Sequence, residues 1–422
     1  MSQIMRKIQV LKKSDVIVNG MWLYILQIFN TVIPLITLPY ITRILGPSQY
    51  GVFSSALNLI GYFLVIVEYG FNLSGARKIA IAKDEYEVSE VYSKITISKL
   101  FLSGVTLILM IISFSLNITK DQMICMIILY SMVLGTAIQQ TWLFQGLQIM
   151  KYITIASVGS RIISVVLIFI LVNNTEQVYL YCGLYSLTFL LMGIMSTLVI
   201  RFKLKIRIRF IKFKELLEEL KDGWYLFTTS AMTKVFSGIG VTVLIFTSTD
   251  MSVGIYSAIQ KIPLVLSMLY APIGQVIFPN VSQHYETSFD SGISKVKKVS
   301  KIVIPIIVIL SLLVIFSSKI IIEILYGLEF SKYSLLLVPL IIWIMLSVLN
   351  NLLGIQVLVA SGHLKEYSFS FRIGLVAILI LNVGLGVIGG MFGVAVAAML
   401  AELTLTITLI YHIKKILAVK QK

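Results

Sequence analysis

Charge is scarce in this sequence. Only 13% of its 422 residues are Asp, Glu, Lys or Arg, about half the share found in soluble domains. So few charges cannot cover a water-facing surface of this size, which excludes a soluble globular protein. Cysteine is nearly absent. The two present, Cys125 and Cys182, fall inside apolar runs at no spacing that suggests a metal site or a disulfide framework. The three histidines, His284, His363 and His412, lie in loops or at a helix end. There is no HExxH, no Walker loop and no nucleotide domain. The chain therefore carries no ATPase and no catalytic constellation; it reads as a protein that is not an enzyme and needs no cofactor.

What is abundant is apolar. Hydrophobic residues make up 58% of the chain and the mean hydropathy is +0.95. They fall into runs of about twenty, the length that crosses a bilayer as a helix. Twelve such spans are predicted, near residues 16–40, 50–69, 98–116, 123–144, 153–172 and 178–200, then 223–246, 252–278, 302–320, 333–357, 369–387 and 391–413. The first run follows Lys12 and Lys13 without a small-residue cleavage site and reads as a retained helix, not a signal peptide. The net charge of +16 would suggest nucleic acid in a soluble protein. In a membrane protein it reflects cytoplasmic loops, so no nucleic-acid partner is expected.

Loop charge fixes the orientation. With the N-terminus inside, the cytoplasmic segments hold roughly 26 Lys or Arg, whereas the opposite loops hold only Arg43, Lys120 and Lys332, and positive loops stay inside. Both termini are thus expected in the cytoplasm. Every outer loop is short, which leaves no room for an external catalytic domain. Midway along the chain, residues 201–221 alternate basic and apolar residues before turning acidic. The segment reads either as an interfacial stretch held on anionic lipids or as a solvated linker that only sets topology. The second span opens with Gly51-Val52-Phe53-Ser54-Ser55-Ala56 and the eighth with Gly254-Ile255-Tyr256-Ser257-Ala258, at the same point of each set of six. This points to a duplication in parallel orientation. The expected fold is an all-α, polytopic membrane protein of twelve transmembrane helices in two parallel six-helix halves, residues 1–200 and 223–422, joined by a basic cytoplasmic linker at 201–222 around a central cleft.

Charge inside a membrane helix costs about 2.5–3.5 kcal/mol on the insertion scale, so it usually faces a cavity or a partner. Arg161, Lys234, Lys261 and Glu402 are the candidates, with Lys234 and Lys261 near mid-depth. Three cations against one acid suggest an anion site; the structural alternative pairs Glu402 with one cation and leaves the others on backbone carbonyls or water. Lys99, Lys319 and Arg372 lie near helix ends and read as headgroup anchors. Glu68 reads as a local partner of Arg77 and Lys78. Pro34, Pro39, Gly238, Gly240, Pro263 and Pro272 mark places where helices can bend. Amides recur at Asn30, Asn58, Gln139, Gln140, Gln145, Gln260, Gln275, Asn350, Asn351 and Gln356. With Tyr24, Tyr256 and Tyr270 they could hydrogen-bond sugar hydroxyls, or simply join helices. The candidate substrate-binding set is Lys234, Lys261, Arg161, Glu402, Gln145 and Gln275.

Several strings carry a family resemblance. Leu45-Gly46-Pro47 with Tyr50-Gly51, and Glu68-Tyr69-Gly70-Phe71-Asn72-Leu73-Ser74, resemble the N-terminal part of the Wzx-type polysaccharide repeat-unit flippases. Trp142-Leu143-Phe144-Gln145-Gly146, Gly223-Trp224, Lys261-Ile262, Pro272-Ile273 with Gln275 and Pro279, and Asn351-Leu352-Leu353-Gly354-Ile355-Gln356 are similar to further family blocks. The resemblance implies the fold of the multidrug/oligosaccharidyl-lipid/polysaccharide exporter superfamily and a place in the bacterial inner membrane. It also implies a substrate, an undecaprenyl-diphosphate-linked oligosaccharide, flipped to the periplasmic leaflet for O-antigen or capsule assembly. A polysaccharide polymerase and a chain-length regulator would be protein partners. Relatives often carry a polar or acidic residue where this chain reads Ser237-Gly238-Ile239-Gly240-Val241, so an ion-coupling site there does not transfer. Two other readings stand beside it. A multidrug antiporter of the same superfamily would favour buried carboxylates, and a membrane glycan polymerase would need a long external loop.

Overall fold

A computed structural model describes residues 13–420, with side-chain surroundings from 18 to 418. The tail charges Arg6, Lys7 and Lys12 that enter the orientation argument lie outside the described residues. Helix α1 (Lys13–Glu68) is followed by α2 (Phe71–Ala80), α3 (Glu85–Ser113), α4 (Lys120–Ile138), the short α5 (Thr141–Gly146), α6 (Lys151–Leu171) and α7 (Val178–Leu198), which runs on as a π-helix over Val199–Leu204. After the basic linker come α8 (Phe213–Thr247), α9 (Asp250–Ile259), α10 (Lys261–Thr287), α11 (Phe289–Phe316), α12 (Ser318–Tyr326) and α13 (Leu328–Ser331). Helix α14 (Leu337–Asn350), extended by a π-helix over Asn351–Val359, and α15 (Leu364–Lys420) complete the chain. No strand occurs among the described residues.

Ten continuous segments of the described chain are long and apolar enough to cross a membrane, where the hydropathy reading expects twelve. The difference lies in two helices that continue across a kink without a loop. Helix α1 is 56 residues long, about 84 Å if straight, far more than the roughly 30 Å of a hydrocarbon core. It turns at Gly46 (φ 68°, ψ 173°), and α15 turns at Gly390 (φ 54°, ψ −136°). Only glycine adopts such angles at little cost, and Pro47 is suited to begin the helix that follows Gly46. Of the predicted bends, Pro263 has a one-residue irregularity near it, at Gln260 between α9 and α10, where φ −59° and ψ −22° stay helical; a proline at 263 cannot donate to the Ile259 carbonyl. Pro34, Pro39 and Pro272 sit inside continuous helix.

Several helices that start at loops carry side-chain caps. Asp84 accepts from the Glu87 N–H at 2.7 Å, Thr119 and Gln122 cap reciprocally, and Thr249 and Ser288 cap α9 and α11. Such caps satisfy donors that the first turn leaves open. The outward faces are apolar, as lipid solvent requires. On α11, Ile302, Ile306, Ile309, Leu313 and Phe316 form an exposed stripe at helical spacing.

The chain divides into two compact units, Met1–Val235 and Phe236–Lys422, with the division inside α8. In the first unit α4 and α7 cross backbone to backbone. A Cβ on Gly135 would meet the Phe189 carbonyl carbon at 2.5 Å, and one on Gly193 would meet the Gly135 oxygen at 2.5 Å. Small residues at a crossing are how membrane helices pack closely. Cys125 and Cys182 belong to these same two helices, reduced and buried. The second unit is held by Val281, Phe289, Leu358, Leu405 and Leu409, which join α10, α11, the π-helical segment and α15. Gly51 to Ala56 are buried in the first unit and Gly254 to Ala258 in the second, so both copies of the short repeat serve their own core.

Candidate functional site

Lys234 is positioned by the first part of α8, which is fixed within the first unit at three levels. Near its start, Lys78 Nζ pairs with Glu219 at 2.8 Å and Asp222 at 3.3 Å. Next, Phe227 stacks on Tyr69 with ring centroids 4.6 Å apart and an interplanar angle of 6°. Fifteen residues beyond Glu219, about 22 Å along the helix, Lys234 reaches α1. Its Nζ donates to Asn58 Oδ1 at 3.1 Å and lies 5.0 Å from the centre of the Tyr62 ring. A methyl on Gly61 would come within 2.6 Å of the same Nζ. Asn58, Gly61 and Tyr62, three and four residues apart, share one face of α1: the amide binds the ammonium, the ring faces it, and the missing side chain leaves it space.

Arg161 on α6 is built in the same way. Its Nη1 donates to Asn30 Oδ1 at 2.9 Å, between α6 and the first part of α1. It makes no ion pair among the described residues. A guanidinium has five N–H donors in a planar fork that matches phosphate oxygens, so one bond to Asn30 leaves most of its capacity. The unit therefore holds two mid-helix cations, each bonded to an asparagine of α1.

The second unit places the other candidates differently. Lys261 lies within the apolar span Asp250–Thr287, one residue after Gln260, and its side chain is exposed without a hydrogen bond or ion pair among the described residues. Glu402 pairs with an amide and not with a cation. Its side chain is 4% exposed, and Asn350 donates to its carboxylate and, at 3.0 Å, to its backbone carbonyl. Thr406 Oγ1 in turn donates to Asn350 Oδ1 at 2.7 Å. These bonds join α14 to α15 at Glu402. Gln275 is exposed on α10, and Gln145 is half-buried at the end of α5.

Three further expectations are corrected. Lys99 does not reach the headgroups: it is 2% exposed and donates to the Gln139 carbonyl at 2.9 Å, satisfying an orphan acceptor at the end of α4. Glu68 accepts from Asn72, while Lys78 is taken by Glu219 and Asp222. Most amides join helices instead of lining a wet interior. Gln140 donates to Thr96 Oγ1 at 3.1 Å, Tyr270 to Asn351 Oδ1 at 2.9 Å, and Gln356 to the Gly274 carbonyl at 2.9 Å. Tyr62 and Gly61 are the site residues that sequence reading misses. The i, i+3, i+4 spacing from Asn58 was the available signal.

Two substitutions test these local contacts. Gly61→Val should displace the lysine head from Asn58, since the atoms it meets are Nζ at 2.6 Å and Cε at 2.8 Å, the far end of a flexible side chain. Folding should survive and the protein's activity should fall on the order of tenfold, the worth of one charge-assisted hydrogen bond; unchanged activity at equal protein level would contradict the placement. Asn350→Leu should lower thermal stability in detergent by about 1–3 kcal/mol, because the buried Glu402 loses its amide donor. The check is the unfolding midpoint, with Asn350→Gln as the milder comparison.

Comparison with known proteins bears on this arrangement. A protein of Escherichia coli (strain K12) named "Putative O-antigen transporter" is 30% identical over 369 residues, 86% of this chain and 88% of its own length. Among solved structures, the lipid II flippase MurJ in an inward closed conformation superposes with a TM-score of 0.75 at 14% identity, covering 94% of this chain and 87% of that one. An inward-facing multidrug resistance MATE family transporter of the MOP superfamily gives 0.68 at 13% identity, covering 92% of this chain and 96% of that one. The helical architecture is thus that of this transporter fold. The family model described as polysaccharide biosynthesis protein matches residues 16–285, and with the relative of near-equal length it establishes that the chain belongs to the polysaccharide biosynthesis protein family.

Proposed function

We propose that this protein flips undecaprenyl-diphosphate-linked oligosaccharide repeat units from the cytoplasmic to the periplasmic leaflet of a bacterial inner membrane, by alternating access, for O-antigen or capsule assembly by a separate polymerase. The observation that carries the reading is the pair of mid-helix cations, Lys234 on Asn58 and Arg161 on Asn30. A diphosphate can leave the headgroup layer only if charge and hydrogen-bond donors replace its water. Lys261, exposed at the head of α10, is a further candidate contact, and Gln145 and Gln275 are candidate sugar contacts. The names of the relatives support the substrate class: an O-antigen transporter by sequence and a lipid II flippase by fold. In a strain deleted for this chain, lipid-linked repeat units should accumulate on the cytoplasmic leaflet and surface polymer should be lost. Normal polymer with no accumulation would overturn the reading.

Orientation belongs to the same proposal. Reporter fusions should report Lys120, Asn174 and Asp250 outside and Lys212 inside. A periplasmic signal at Lys212 would contradict the assignment of the basic linker to the cytoplasm.

A further inference from the structure

The linker ahead of α8 is the most densely basic stretch of the chain: residues 201–214 hold seven Lys or Arg and no acid. Its path is fixed by the first unit. The π-helix ends at Lys205 in a left-handed conformation (φ 56°), Ile206 turns into the core, and the Arg209 N–H donates to Ser93 Oγ at 2.8 Å. The Arg209 guanidinium lies 4.1 Å over Tyr86, and Lys203 Nζ lies 5.1 Å over Tyr152. So pinned to the starts of α3 and α6, the segment still turns bulky apolar groups outward. Phe202 is 70% and Phe210 108% exposed, with Ile208 and Phe213 exposed beside them.

Such a set has no reason to face water. Cations interleaved with exposed aromatics, directly after a membrane-spanning helix, form the composition of a segment that lies in the headgroup layer. Lys205, Arg207 and Lys212 make no ion pair among the described residues, so their side chains are available to phosphate oxygens. We propose that residues 201–213 form a docking surface for anionic phospholipid headgroups, with Phe202 and Phe210 entering the acyl boundary and Lys205, Arg207 and Lys212 binding headgroup phosphates. Anionic lipid would then hold the connection to α8 on the cytoplasmic surface. This inference stands independently of the transported substrate.

Hydrogen exchange of the full-length protein in nanodiscs tests it. Amides of the linker should exchange about tenfold or more slowly in phosphatidylcholine mixed with phosphatidylglycerol than in phosphatidylcholine alone. The difference should vanish in high salt and in the triple variant Lys205→Gln, Arg207→Gln, Lys212→Gln, while α3 and α6 keep wild-type protection. Phe202→Ser with Phe210→Ser should raise linker exchange in both lipids. Equal wild-type exchange in the two lipids overturns the proposal without recourse to any variant. So does full slowing by free inorganic diphosphate in phosphatidylcholine, which would mark a phosphate site and not a lipid surface.

Discussion

Lys234→Gln should lower surface polysaccharide in a complemented deletion strain about ten- to a hundredfold, the worth of a charge-assisted hydrogen bond to the substrate, at an unchanged amount of transporter in the membrane. Glutamine can still bond the Asn58 amide, so the link between α8 and α1 survives while the point charge is lost. Lys234→Arg should retain partial function, because charge is kept and only geometry changes. The Gly61→Val substitution acts through the same lysine, so the double variant with Lys234→Gln should be no worse than Lys234→Gln alone. Additive losses would show that Gly61 matters for some other reason. Wild-type polymer from correctly inserted Lys234→Gln would remove this lysine from the proposed diphosphate site and leave it a structural partner of α1.

Gly135→Leu should abolish accumulation of folded protein. Overpacking a tight core typically costs about 1–3 kcal/mol and sometimes more, and here the first added atom already meets backbone, the Phe189 carbonyl carbon at 2.5 Å and its oxygen at 2.6 Å. Backbone cannot move aside as a side chain can, so α4 and α7 would have to separate. Gly193→Leu meets the Gly135 oxygen from the other side and should fail likewise. Gly159→Leu is the control, since a Cβ there meets nothing within 4 Å. Comparable expression and unfolding midpoints for Gly135→Leu and Gly159→Leu would contradict the close crossing.

The helical membrane fold was legible in hydropathy because lipid accepts only segments that satisfy their own backbone, and nearly all of the chain consists of such segments. Where the twelve-span reading and the ten continuous segments differ, the cause is conformational. Gly46 and Gly390 turn the chain from one helix into the next with non-helical angles and no loop between, and hydropathy does not see φ. Charge within apolar spans singled out Lys234 and Arg161, and each bonds an asparagine of α1. Their asparagine partners, Asn58 and Asn30, lie 176 and 131 residues away, and no one-dimensional pattern pairs them. Lys99 shows the opposite failure: nearness to a helix end suggested snorkelling, but the Gln139 carbonyl that captures it comes from another helix. Glu402 likewise found Asn350, 52 residues away, instead of a cation. Burial of polar groups in a bundle is decided by long-range partners, so sequence could name the residues and not their bonds.

The most direct measurement is translocation by the purified protein in vesicles loaded with a fluorescent undecaprenyl-diphosphate-linked oligosaccharide, read by a membrane-impermeant quencher added outside. Wild-type vesicles should lose the protected inner-leaflet signal, while Lys234→Gln vesicles, at equal protein content, should keep it almost as protein-free vesicles do. Protection unchanged by the wild-type protein, or lost equally with Lys234→Gln, would contradict the account.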